Sequence, residues 1–119
     1  MPQVDISIGE LIDKISILEI KSTKIEDKKK LTNVEKELKL LKDIAPEIDD
    51  KYHTELSIVN IRLWEVEDEL RVKESKEEFD DEFIALARSV YKLNDERARI
   101  KYRINIKYNS ELVEEKSYA

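Results

Sequence analysis

Apolar residues recur along this chain every three or four positions, a rhythm that predicts helices throughout and no sheet. In "SIGELIDKISILEIKSTKI", Ile8, Leu11, Ile12, Ile15, Leu18 and Ile25 share one face, and Ser7 with Glu10 has the spacing of a capping box. That places a first helix near 7–26, with the polar "EDKKK" (26–30) as a connection. In "TNVEKELKLLKDIAP" the signal repeats: Thr32 and Glu35 make a second box, and Val34, Leu38 and Leu41 form the stripe of a helix near 32–45. Pro46 ends that helix and suits the first position of the next. Ile48, Tyr52, Leu56, Val59, Leu63, Val66 and Leu70 step by fours and threes along a third helix near 46–74. Ser75 and Glu78 supply a third box for a helix near 75–108, whose stripe is Phe83, Leu86, Val90, Leu93, Ile100 and Ile104. Asn109 and Ser110 end it, leaving a tail over 109–119. The expected fold is all-α, one domain spanning 1–119, an antiparallel bundle of about four helices with the long third helix at its centre.

Four apolar residues lie off these stripes. Ile61 and Trp64 sit on the far side of the third helix, and Ile17 and Ile20 beside the main face of the first. Helices apolar on two sides occupy a bundle centre or meet another subunit. Ile17, Ile20, Ile61 and Trp64 are therefore the expected interface of a homo-oligomer, a dimer first, since two-fold dimers are the commonest closed form.

Composition narrows the chemistry. The chain has 119 residues, no cysteine and one histidine, which removes disulfides, thiolate chemistry and a histidine zinc site. With one glycine it has no glycine-rich phosphate loop. A net charge of −6 argues against a general nucleic-acid binder, and no apolar run reaches membrane-spanning length. A cytoplasmic protein is the expectation. Glu10 with Asp13, and Glu65 with Asp68, have the spacing that lets two carboxylates hold magnesium, but an acid content this high yields about six such pairs by chance. No cofactor is expected.

The fourth helix is the most informative. Four of the six arginines of the chain lie between positions 88 and 103. On a wheel of ~100° per residue its polar residues fall into three groups. Arg88, Lys92, Arg99 and Arg103 cluster away from the seam, as a solvated face or an anion-binding stripe. Tyr91, Asn94, Ala98, Tyr102 and Asn105 line one flank, as an interhelical contact or as readers of a ligand's edge. Arg97 alone points inward and must find an acid. Glu19, on the apolar face of the first helix, is the expected partner, with Asp68 or Glu67 nearby; such a pair serves register as readily as chemistry.

The segments "GELIDKISILEIK", "LWEVEDELR", "LARSVYKLNDERARIK" and "ELVEEKSY" together resemble a family of short helical proteins of bacteria and tailed phages, catalogued as a domain of unknown function. The likeness runs from Val4 to Tyr118 and implies a stand-alone helical domain with no assigned activity. Positions matching its motifs include Glu10, Asp13, Lys21, Trp64, Glu67, Asn94, Asp95, Arg97, Lys101, Asn105 and Glu114. The first helix also looks like that of the all-helical chorismate mutases but lacks their substrate-holding arginine. The acid pairs are too far apart for an all-helical nucleotide pyrophosphatase. The leading expectation is a non-enzymatic oligomer that binds an anionic, nucleotide-like small molecule through Arg88, Arg97, Arg99, Lys101 and Arg103, with Tyr91, Asn94, Tyr102 and Asn105 as readers. The alternatives are a magnesium-dependent nucleotide hydrolase and a purely structural bundle.

Overall fold

The computed structural model describes residues 1–117. It contains four helices and, among the described residues, no strand: α1 (Ile8–Lys24), α2 (Lys28–Ile44), α3 (Asp50–Ser75) and α4 (Asp81–Lys107). The tail from Ser110 to Ser117 is irregular, and Tyr118 lies outside the described residues.

Side-chain caps set the helix starts. Ser7 accepts from the Glu10 amide at 3.1 Å, as the first capping box requires, but the Glu10 carboxylate turns away to Lys101. The other two boxes are not used. Asp27 caps α2 by accepting from the Lys30 amide, so "KKK" belongs to the helix, and the Thr32 hydroxyl donates back to the Lys28 carbonyl inside it. Asp80 caps α4, while Ser75 is the last residue of α3 and bonds to the Val72 carbonyl. In both places an aspartate close by offers a charged acceptor, which the orphan amides prefer to a hydroxyl. Pro46 lies in the connection rather than at a helix start; α3 begins after Asp49, which accepts from the Lys51 amide.

Residues Ile12, Tyr52, Leu56, Val59, Ile100 and Ile104 form the core, with Ile8, Ala45, Ile48, Leu93 and Tyr108 packed around them. Tyr108 closes one end: its ring meets Tyr52 edge-on, and its hydroxyl accepts from the Asp49 amide at 2.7 Å. Contacts between α1 and α4 run Gly9–Asn105, Glu10–Lys101 and Asp13–Arg97, and those between α3 and α4 run Glu55–Arg103 and Lys73–Asp80. Both pairs are therefore antiparallel. The central helix is α1, not the long α3: it packs on all three others, whereas α2 packs on α1 alone. Burial of Leu11, Ile12, Asp13, Ile15, Ser16, Leu18 and Ile20 reflects that position, since so many faces cannot be covered by one neighbour.

Candidate functional site

The fourth helix carries a second seam beside its apolar one. Asn94, Arg97, Lys101 and Asn105 step by three and four, and this row faces α1. On α1 the matching row is Gly9, Glu10 and Asp13. Gly9 matters because α1 and α4 touch there: a β-carbon at position 9 would lie 2.5 Å from the Lys101 carbonyl oxygen. The close approach lets the Gly9 amide donate to Asn105 Oδ1 at 2.6 Å, and the Ile8 amide to Ser110 Oγ at 3.0 Å. With Ser7 on the Glu10 amide, three orphan donors of α1 are met, two of them from the far end of the chain. Ser110 is turned inward by Asn109, whose left-handed φ of 52° ends α4 and lets the Ser110 amide bond to the Asn105 carbonyl.

One and two turns further along α4 the seam becomes ionic. Lys101 is nearly buried and reaches Glu10 at 2.6 Å, Glu114 of the tail at 3.6 Å and Asp13 at 3.9 Å. Glu114 is thus the pin that docks the tail. Partial burial acts to raise its carboxyl, but Lys101 and Lys116 together outweigh that and hold it below the ordinary range. Asp13 is wholly buried. Arg97 Nε donates to both its oxygens, at 2.9 and 3.0 Å, and Nη2 donates to Oδ2. Asn60 of α3 completes the shell, donating to Asp13 Oδ1 at 3.0 Å and to Ser16 Oγ at 3.2 Å. Hydrogen bonding to Asp13 raises the Arg97 guanidinium above its ordinary value despite the opposing effect of burial, so its charge is fixed.

The expected pair is thus half corrected. Arg97 does meet a buried acid of α1, but it is Asp13. Glu19 is six positions, or ~120°, further around the helix, where it pairs with Lys42 of α2 in solvent. Asp68 pairs with Arg71 on the open side of α3.

Asp13 occupies one edge of the guanidinium. The other edge, Nη1, has only Asn94 Oδ1 at 3.5 Å, and the side chain remains 26% exposed. That edge borders a cleft of about 220 Å³ between α1, α3 and α4, walled by Ile17, Ile20, Leu63 and Trp64, with Lys21, Glu67 and Asn94 at its polar positions. Ile17, Ile20 and Trp64, expected at a subunit interface, line this intramolecular cleft instead. Ile61 alone of the four faces open solvent.

The nine candidate ligand residues are not one site. Arg97 and Asn94 border the cleft. Tyr91 lies one turn earlier on α4 and Arg88 a further turn, both exposed. Arg99, Lys101, Tyr102, Arg103 and Asn105 line a separate groove of about 640 Å³ between α4 and the tail. Within it Lys101 and Asn105 are already bonded to α1, and Arg103 holds Glu55 at 2.5 Å. The acid pairs are similarly engaged: Glu10 and Asp13 hold Lys101 and Arg97, and Glu65 holds Arg62. No group of three potential metal ligands occurs among the described residues. Sequence reasoning missed Asn60, Glu114 and the role of Asp13 as partner. The available signal was the polar row at 94, 97, 101 and 105, which marks a buried interface of its own.

Fold and site together define an all-helical protein built on a hydrogen-bonded and ionic interface, with an arginine-bordered cleft at its end. The chain belongs to the DUF6165 family, a family of unknown function whose model matches residues 2–119. No curated protein and no solved structure matches it. No helix is long and apolar enough to cross a membrane.

Proposed function

We propose that this is a non-enzymatic, cytoplasmic binding protein, assembled from at least two copies, whose ligand is a small anion with a planar, nucleotide-like body. The carrying observation is the Arg97 guanidinium, clamped along one edge by buried Asp13 and open along the other to the cleft. An arginine held this way has lost its rotamer freedom before any ligand arrives, so its spare donors meet a phosphate or carboxylate at little further entropic cost. Lys21 adds a second cation, Asn94 an amide, and Trp64 with Ile17 and Ile20 an apolar wall. The cleft is smaller than the ~300 Å³ at which drug-sized pockets begin, so it takes the anionic group and the adjoining part of the ligand. The remainder would extend along α4 toward Tyr91 and Arg88. A bacterial or phage protein with these properties would serve to sequester a signalling nucleotide.

Trp64 is the sole tryptophan and borders the cleft, so its fluorescence reports occupancy directly. The test titrates nucleoside mono-, di- and triphosphates, inorganic phosphate and aromatic carboxylates, with and without magnesium. The reading expects a saturable change in Trp64 emission and a raised melting temperature for one anion class, needing no magnesium and yielding no product. The response should weaken in Lys21→Gln and Asn94→Ala, whose side chains are not part of the Asp13 shell. A silent panel, or a response that both variants leave intact, would assign Arg97 and Asp13 to helix register alone.

A further inference from the structure

We infer that the outer face of the α3–α4 hairpin, the side turned away from α1, is the surface on which a second copy of this chain docks. The inference rests on the assembly reading above and supplies its interface.

Both helices leave apolar side chains in solvent on that side. On α3 they are Ile58 and Val72, 65% and 52% exposed, and on α4 Ile84 and Ile106, 53% and 55% exposed, with Tyr102 between them. Ile58, Glu65 and Val72 are seven residues apart, and Ile84, Arg88, Asp95, Tyr102 and Ile106 follow in steps of four and seven. Spacing near 3.5 per turn keeps each set on one line of its helix, as a packed seam does. Neither line has a partner within the chain, because α1 and α2 lie on the opposite side of the hairpin or beyond it.

Charge names the occupant. The α3 line is flanked by Glu65, Asp68 and Glu69 against Arg62, and the α4 line by Arg88, Lys92, Arg99 and Arg103 against Asp95. One helix of the face is acidic and the other basic. The helices are antiparallel neighbours, so a two-fold axis normal to the hairpin lays α3 of one copy on α4 of the other at both positions. Acid then meets base twice, in a closed, self-complementary contact. The groove of about 640 Å³ beside α4, lined by Asp95, Arg99, Tyr102 and Arg103, receives the partner's α3. The size is adequate: α3 has 26 residues. A face ~39 Å long and two ~10 Å helices wide gives roughly 800 Å² per copy, the standard specific interface.

The test is sedimentation velocity with light scattering on the full chain, at low and high salt. The wild type should be a dimer whose dissociation constant rises with salt. Two surface variants, Arg88→Glu/Arg99→Glu and Glu65→Arg/Glu69→Arg, should each weaken self-association at least about tenfold. Mixed together they should form a heterodimer, because the first has two acidic helices and the second two basic ones. A monomeric wild type overturns both this surface and the assembly reading. A dimer that both variants leave unchanged, or variants that fail to combine, overturns the surface alone. The Trp64 titration is read separately, so ligand binding and docking fail or stand independently.

Discussion

The fourth helix makes two long contacts of opposite chemistry. Toward α3 it offers Leu93, Ile100 and Ile104 to Tyr52, Leu56 and Val59, a hydrocarbon seam that excludes water. Toward α1 it offers Asn94, Arg97, Lys101 and Asn105, and every contact is a hydrogen bond or ion pair. The first seam tolerates changes of shape of about one methylene, since apolar packing is non-directional. The second has a single register, because shifting Asp13 by one turn would leave a charge buried without its partner. Stability and uniqueness are therefore supplied by different faces of one helix. The cleft opens where the directional face ends, which is where a ligand can find a donor already held in place.

The sharpest way to break this contrast is at its two centres. Asp13→Ala strands Arg97 and Asn60 and should cost about 3–5 kcal/mol in urea unfolding. Leu56→Ala should cost about 2–5 kcal/mol, but leave Trp64 emission of the folded protein unchanged. The pair differs again on repair. Replacing both ions, as Asp13→Leu with Arg97→Met, should recover most of the loss, since apolar substitutes for a buried pair are often neutral, and should abolish any ligand response. A double variant no more stable than Asp13→Ala would show that the seam needs its ions for folding.

Gly9→Ala comes next. Its methyl group meets the Lys101 carbonyl, which is backbone and cannot swing aside, so α1 and α4 must separate. A loss of about 1–3 kcal/mol is expected, with amide exchange rising at Gly9 as its bond to Asn105 lengthens. Ser7→Ala removes only the Glu10 cap and should cost about 1 kcal/mol by thermal melting. The smallest effect belongs to the hydrogen-bonded side's exposed counterpart: Arg103→Ala, which breaks the surface pair with Glu55, should cost under about 1 kcal/mol and less in high salt.

Acid sharpens the comparison from another direction. The Glu114 carboxyl is depressed in the fold, so its contribution is present above the ordinary carboxylate range and is lost as pH falls through the lowered value. Below about pH 4 the tail should release from Lys101, seen as faster amide exchange over 111–117, while the apolar seam holds. A tail equally protected at pH 3 and pH 7 would mean that Glu114 is not its pin.

The helices were legible from the apolar period, because each buries a stripe whose spacing follows from 3.6 residues per turn. Their starts were less so. Thr32 and Ser75 imitate caps, but Asp27 and Asp80 stand close enough to take the amides first. An inward Arg97 was legible as a charge among apolar residues. Its partner was not, because choosing Asp13 over Glu19 depends on which side of α1 meets α4, and α1 is apolar on several sides. Glu114 was beyond reach for a different reason: the left-handed turn at Asn109 directs the tail back across α4, and one residue's backbone angle leaves no periodic trace.

The caps on α1 have a consequence for the order of events during synthesis. Ile8 and Gly9 donate to residues made 102 and 96 positions later. As the chain leaves the ribosome, α1 and α2 can pair and α3 can coil, but the polar side of α1 has no complement until α4 is out. Through most of translation Asp13 is a solvated carboxylate that opposes burial of its own helix. The final fold is committed late, when α4 brings Arg97, Lys101 and Asn105 together to a helix that has been waiting with its charges in water.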